Sequence, residues 1–350
     1  MTDPRSPSSP EPAVPATDSP WPWPPGAASG IGSLPGTDVA EAQRIVLGEL
    51  PGLPHLPELP ARGPGAEMIG RGATFLVDLP VELYAGRWRV AARPGRDLRR
   101  ALDLRERDLD QLTEQADGYT GPVKLQAAGV WTLAAALDVG LGGRLVRDHG
   151  AVRDLAASLT EGLREHVAEV SRRVPGARLL LQLDEPSLPA VLAGTLRTDS
   201  GLHTYRAVVA GTVRDLLAEV ISGVGVPVVV HCCAPGVPVG LLRAAGAVAI
   251  AADLELLTDL DPVGAAIDAG MGLFAGVVPA TGEATGAAAP ASARAAGQVR
   301  TLWSKLGFPA ERAAAQVVVT PACGLAGAAV PYARAALAAC RDAGRRLAEG

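Results

Sequence analysis

The chain has 350 residues, 48% hydrophobic and only 3% aromatic, with a formal net charge of −5. That is enough for one large barrel or two ordinary domains, and the scattered charges exclude a basic surface for nucleic acid or anionic membrane. Four cysteines in so long a chain make no disulfide framework, and no apolar run is long enough to span a membrane or serve as a signal-peptide core beside Asp3 and Arg5, so a reduced cytoplasm is expected.

Residues 1–28 are rich in Pro, Ser and Ala and are expected to form a disordered tail, with Trp21 and Trp23 loose rather than docked. The folded domain is expected over 29–350. There, short apolar runs alternate with longer amphipathic ones, the pattern of a parallel sheet with crossover helices. Strands are expected around 30–34, 73–79, 122–127, 178–183, 226–231, 247–252, 272–278 and 316–320. Helices are expected over 37–50, 97–116, 151–173, 203–222, 237–245, 261–269, 291–306 and 330–348. Eight of each predict an α/β fold, a single-domain (β/α)8 TIM barrel, over an open doubly wound sheet. The absence of G-x-G-x-x-G and of a P-loop argues against a nucleotide fold. The Pro- and Gly-rich stretches 51–72 and 279–290 read as long loops, the kind that often act as lids.

Barrel enzymes carry their chemistry at the C-terminal ends of strands. That rule collects Ser33, Asp184, Glu185, His231, Cys233, Asp253 and Cys323 on one rim. The run Val226-Pro-Val-Val-Val-His231-Cys232-Cys233 ends a buried strand in one imidazole and two thiols. Strand alternation puts His231 and Cys233 on one side and Cys232 on the other. Cys323 ends another apolar strand, and Asp253 or Glu255 a third. Together they offer the N, S and O donors of a tetrahedral zinc site, with Asp253 preferred because it lies nearer the strand. Cys340 reads as a small core hydrophobe. Ser33 either presents its hydroxyl and nearby N–H groups to a substrate carboxylate or serves the turn before the helix at 37. Asp184 follows buried apolar residues and needs a partner. Trp131 could stack on a flat methyl donor or fill the core.

The motifs Gly30-Ile-Gly-Ser33-Leu-Pro35, Thr120-Gly-Pro-Val123, Gln182-Leu-Asp184-Glu185-Pro186, His231-Cys-Cys233 and Thr320-Pro-Ala-Cys323-Gly-Leu325 span residues 30 to about 330. In their kind and order they resemble the catalytic domain of cobalamin-independent methionine synthase, in its shorter single-barrel form. The resemblance implies a zinc ion that activates a thiol and methyl transfer to homocysteine. It implies Asp184 as the ligand of the substrate amino group and Glu185 as a catalytic or orienting carboxylate. Small-molecule substrates follow, with 5-methyltetrahydrofolate or a methylated corrinoid, free or on a corrinoid protein, as donor. The chain departs from the pattern in two places. A His at the end of the seventh strand is missing from Gly276-Val-Val-Pro279, leaving Asp184, Glu185 or Glu283 to supply a proton. For a Glu that helps bind the homocysteine amine, Glu67 and Glu82 are the candidates. The missing His favours a corrinoid donor, whose methyl group leaves without an acid. Two rival readings are a corrinoid-dependent methyltransferase for another thiol, such as coenzyme M, and a non-catalytic zinc- and thiol-binding barrel.

Overall fold

A computed structural model describes residues 20–140, 142–284 and 289–349. Its centre is a curled sheet of six parallel strands, in the order β3 (Pro122–Ala128), β5 (Arg178–Asp184), β6 (Val228–His231), β7 (Ala249–Asp253), β8 (Gly272–Val278) and β9 (Val317–Pro321). Two irregular staves close the ring. Ser29 N–H donates to the Val319 carbonyl at 3.0 Å and Val319 N–H to that of Ala27 at 3.0 Å. Leu34 and Glu58 tie the first stave to the second, and Leu56 N–H donates to the Lys124 carbonyl at 3.1 Å, joining the second stave to β3. The expected α/β barrel is thus present, with six regular strands and two held by isolated bridges.

The second stave is residues 54–58, inside the stretch read as a lid loop, and not 73–79. Prolines 54 and 57 have no N–H to donate, so the ladder shrinks to single bridges and strand periodicity disappears. Leu53 through Leu59 are nonetheless buried throughout. Residues 73–79 instead end the short helix α2 (Met68–Ala73) and turn. The helix expected over 203–222 begins only at Ala210. Short helices at Val130–Ala136, Leu188–Ala193 and Ala310–Gln316 escape a periodicity reading because so few turns carry no moment. An antiparallel hairpin, β1 (Val81–Tyr84) with β2 (Arg87–Val90), pairs with β4 (Asp138–Val139). The hairpin and β4 lie in the connections that follow the second stave and β3, the side where a barrel keeps its chemistry. No helix among the described residues is long and apolar enough to cross a membrane.

Alternation along the strands sorts the core into two shells. Leu179, Leu181, Leu183, Val228, Val230, Leu273 and Val317 face the helices. Leu180, Val229, Ala249, Ala251, Phe274 and Val318 face inward with Ile31 and Leu53. Trp23 plugs this inner cluster, which corrects the reading of a loose tail to residue 28: from Pro20 the chain is placed, and residues 1–19 lie outside the described residues. The Trp23 ring meets Phe274 edge-on at 5.1 Å, and its indole N–H donates to the Ala315 carbonyl at 3.1 Å. Gly272 makes room for it, since a Cβ there would lie 2.5 Å from the indole.

Trp23→Ala should destabilise the protein by about 3–5 kcal/mol, the usual penalty for emptying a buried aromatic site. Denaturant unfolding measures this, and a change below about 1 kcal/mol would return Trp23 to the loose tail.

Candidate functional site

The parallel register sets Asp184 of β5 directly beside His231 of β6. Both side chains point into the barrel, on the same side as Leu180 and Val229 below them. His231 is 2% exposed, and its Nδ1 lies 2.8 Å from Asp184 Oδ1. Cys233 follows where β6 ends, and Cys323 follows the Pro321 end of β9. The nitrogen of His231 and the sulfurs of Cys233 and Cys323 all lie within 4.8 Å of one another. Three of the four expected ligands therefore converge. Cys232 is fully buried and turned toward the Ala234 carbonyl, as alternation requires, and Cys340 sits in the helical core. All four cysteines are free.

The cluster's electrostatics suit a cation. Burial pulls His231 down, but the Asp184 hydrogen bond and the Cys323 thiolate outweigh it and lift its pKa to about 9. The Cys323 thiol falls to about 4 because the Cys233 thiol donates to it and the positive charge of His231 lies beside it. Donation to Cys323 and burial raise Cys233 correspondingly. Nε2 of His231 is buried and has no hydrogen-bond partner. An orphaned nitrogen beside two sulfurs, with the opposite ring nitrogen held by a carboxylate, is the donor set of a soft or borderline metal ion. These residues could hold one.

Asp253 does not join them. β7 ends there, a 3-10 turn over Leu254–Leu256 begins, and the Asp253 carboxylate caps that turn by accepting from Glu255 N–H at 2.9 Å. The turn also breaks the alternation that made Glu255 an alternative. Glu255 is exposed and lines a separate surface hollow with Arg294 and Lys305.

The cluster forms one wall of a cavity of about 260 Å³, whose other walls include Ser33, Glu58, Met68 and Asp184. Ser33 is not a helix cap; Asp38 fills that role for α1 (Val39–Glu49), accepting from Glu41 N–H at 3.1 Å. Glu58 is the carboxylate that the sequence reading missed. Its signal was an acid inside a buried Pro-Leu run, which needs a reason to be there. Arg71 lies 3.1 Å away and Gln126 donates to it at 3.2 Å, while burial raises its pKa. Glu67 instead caps α2 and accepts from the Trp88 indole at 2.5 Å. Glu82 pairs with Arg89 at 2.6 Å, and Glu283 is exposed.

Two further expectations are corrected. Glu185 faces away from the cavity and anchors α4 (Val130–Ala136), accepting from Trp131 N–H at 3.0 Å, Thr132 N–H at 2.8 Å and the Thr132 hydroxyl at 2.9 Å. Burial lifts its pKa to about 7. Trp131 is 1% exposed between helices, donating to the Val213 carbonyl at 3.3 Å, and is a core residue. The causes differ: the alternation that turns Asp184 of β5 inward turns Glu185 outward, whereas α4 starts directly after β3 and Trp131 lies in its first turn, packed among helices.

Residues 26–346 match the family described as "Cobalamin-independent synthase, Catalytic domain". A solved B12-independent methionine synthase from Shewanella sp. W3-18-1, in complex with selenomethionine, superposes with a TM-score of 0.55 at 14% identity, covering 93% of this chain and 98% of that one. A methyltransferase from Methanosarcina mazei superposes with a TM-score of 0.54 at 14% identity, covering 93% of this chain and 94% of that one. No curated protein sequence matches the chain. Nothing in these similarities supports the expected corrinoid partner. With two thiols and an imidazole gathered on the rim of the matched barrel, the chain belongs to the family of methyltransferases built on the cobalamin-independent synthase catalytic domain.

Proposed function

We propose that the protein is a zinc-dependent methyltransferase that moves a methyl group to the thiol of homocysteine and so forms methionine. The observation that carries this reading is the orphaned Nε2 of His231 beside Cys233 and Cys323, in the wall of a cavity that also presents Glu58, Asp184 and Ser33. His231, Cys233 and Cys323 would hold the ion. With Asp253 turned to its own backbone, the fourth position is left to the substrate sulfur. When bound, zinc supplies the positive charge that keeps an acceptor thiol deprotonated at neutral pH. Two protein thiolates beside it already balance a dication, which leaves the acceptor sulfur electron-rich.

The chain's own groups do the rest. Asp184 holds the imidazole by Nδ1 so that Nε2 faces the thiols. Glu58 and Asp184 give the cavity two carboxylates, a match for a substrate ammonium. The Ser33 hydroxyl and the N–H groups of its turn are the partners for a substrate carboxylate. A cavity of about 260 Å³ suits an amino acid of homocysteine's size. The Shewanella relative, solved with selenomethionine, holds the selenium analogue of the proposed product. The family's cobalamin independence favours 5-methyltetrahydrofolate as donor.

The test is methionine formation from homocysteine by the zinc-loaded protein, with 5-methyltetrahydrofolate and with methylcobalamin. No methionine from either donor would end this reading. Glu58→Gln should weaken homocysteine binding by roughly tenfold to a hundredfold in calorimetry, the effect of losing one charged hydrogen-bond partner, with zinc content unchanged. Equal affinity would remove Glu58 from the substrate's contacts.

Metal analysis should find one zinc per chain. Cys233→Ser and Cys323→Ser should lose it and Cys340→Ser should keep it; retention in the Cys323 variant contradicts the ligand set.

Zinc uptake should also depend on pH with a defined sign. His231, raised to about 9, and Cys233, raised further, each carry a proton at pH 7 that the ion must displace, while Cys323 is already a thiolate. Affinity should then climb about a hundredfold per pH unit near neutrality and about tenfold per unit once His231 is neutral. Proton release in weakly buffered solution should be about two per zinc at pH 7; release of none would contradict the protonation pattern.

A further inference from the structure

Below the cavity, the inner face of β3 places a lysine where barrels keep apolar packing. Lys124 is fully buried and does not line the cavity. Its Nζ donates to the Ile31 carbonyl at 2.9 Å and to Gln182 Oε1 at 2.8 Å, with Gln126 Oε1 at 3.4 Å. Three acceptors match the three protons of an ammonium. Burial lowers its pKa, to about 8, so the charge persists at neutral pH.

From there a chain of hydrogen bonds runs upward. Gln182 Nε2 donates to the Ile31 carbonyl at 2.8 Å and to Asp184 Oδ1 at 2.7 Å. Asp184 Oδ1 lies 2.8 Å from His231 Nδ1. The direction of this chain is forced from below. An ammonium can only donate, so the oxygen of Gln182 must face Lys124. The Ile31 carbonyl can only accept, so the amide nitrogen must face the other way. Asp184 must therefore accept from Gln182, and its charge selects the His231 form that carries a proton on Nδ1. Nε2 is left facing the two thiols.

We propose that Lys124 is a positioning residue of the metal centre: acting through Gln182 and Asp184, it fixes His231 with Nδ1 protonated and Nε2 free to ligate. The inference rests on the metal reading above and extends it one layer down the barrel, to residues that touch neither metal nor substrate. A glutamine at 124 can present either end of its amide to Gln182, so it fills the space and loses the direction.

The test measures the zinc dissociation constant by chelator competition in the wild type, Lys124→Gln, Gln182→Leu and the double variant, with apo thermal stability in parallel. Lys124→Gln and Gln182→Leu should each weaken zinc binding about 10–100-fold, the size of effect seen when an outer partner of a metal-bound histidine is lost. The double variant should be no weaker than Gln182→Leu alone, because Lys124 acts through Gln182. Histidine-selective 15N NMR of the zinc-loaded wild type should show a slowly exchanging Nδ1–H on His231, broadened in Lys124→Gln. Unchanged zinc affinity in a folded Lys124→Gln would overturn the proposal, as would additive effects in the double variant. If Lys124→Gln does not fold, Lys124→Met replaces it, and metal bound through Nδ1 in the wild type would overturn the proposal without any variant. A wild type that takes up no zinc is a different result, which removes the metal reading and this one with it.

Discussion

The contact between Asp184 and His231 is the constraint around which the rest is arranged. A carboxylate and an imidazole, 5% and 2% exposed, face each other inside a barrel at 2.8 Å. Taken out of water, either group alone would be strongly unfavourable. Each is tolerated because the other is present, and because Gln182 donates to Asp184 from below while two thiols approach His231 from above. The parallel register makes the meeting compulsory, since Asp184 and His231 are paired residues on neighbouring strands. A slip of one residue in either strand would turn its member of the pair toward the helices.

The barrel interior accordingly holds two kinds of packing side by side. Trp23, Leu180, Val229 and Phe274 form an apolar cluster. Lys124, Gln126, Gln182, Asp184 and His231, all buried, form a polar column against it, with Lys124 paired to Leu180 and Gln182 to Val229. The Trp23 plug and the polar column depend on each other. Without a closed floor, water would reach the column and weaken the hydrogen bonds that orient it.

Most of the His–Cys cluster was legible because it obeys strand arithmetic. An apolar run identifies β6, its period of two sends His231 and Cys233 one way and Cys232 the other, and β9 repeats the design before Cys323. Arithmetic failed where another local preference took over. Asp253 is a good turn cap, so it turned to the Glu255 N–H instead of the cluster. Glu185 obeys the same alternation that turns Asp184 inward and so faces α4, whose first-turn N–H groups it accepts, and Trp131 lies in that first turn and fills the core. The second stave was hidden because prolines leave single bridges in place of a ladder, and Glu58 was hidden with it. Lys124 gave no signal at all, for a single lysine in a strand ordinarily points to solvent.

The rim of β8 shows why the metal side and the donor side of such a site compete for space. Positions 272, 274 and 276 of β8 share the inward face, and the uppermost is glycine. A Cβ on Gly276 would lie 2.8 Å from the Ala252 carbonyl oxygen, 2.8 Å from the Ala322 Cα and 3.0 Å from the Asp253 Cα. The turn that carries Cys323 is thus packed directly against the ends of β7 and β8. Any side chain at 276 would push that turn away and with it the thiol of Cys323. At this point of the rim an acid and the present position of Cys323 exclude one another. On the proposed reading, the buried acid in the cavity nearest to serving a departing nitrogen is Glu58, whose pKa is raised by burial. At position 276 itself, the close approach of the backbone to the turn that carries Cys323 leaves room for glycine alone.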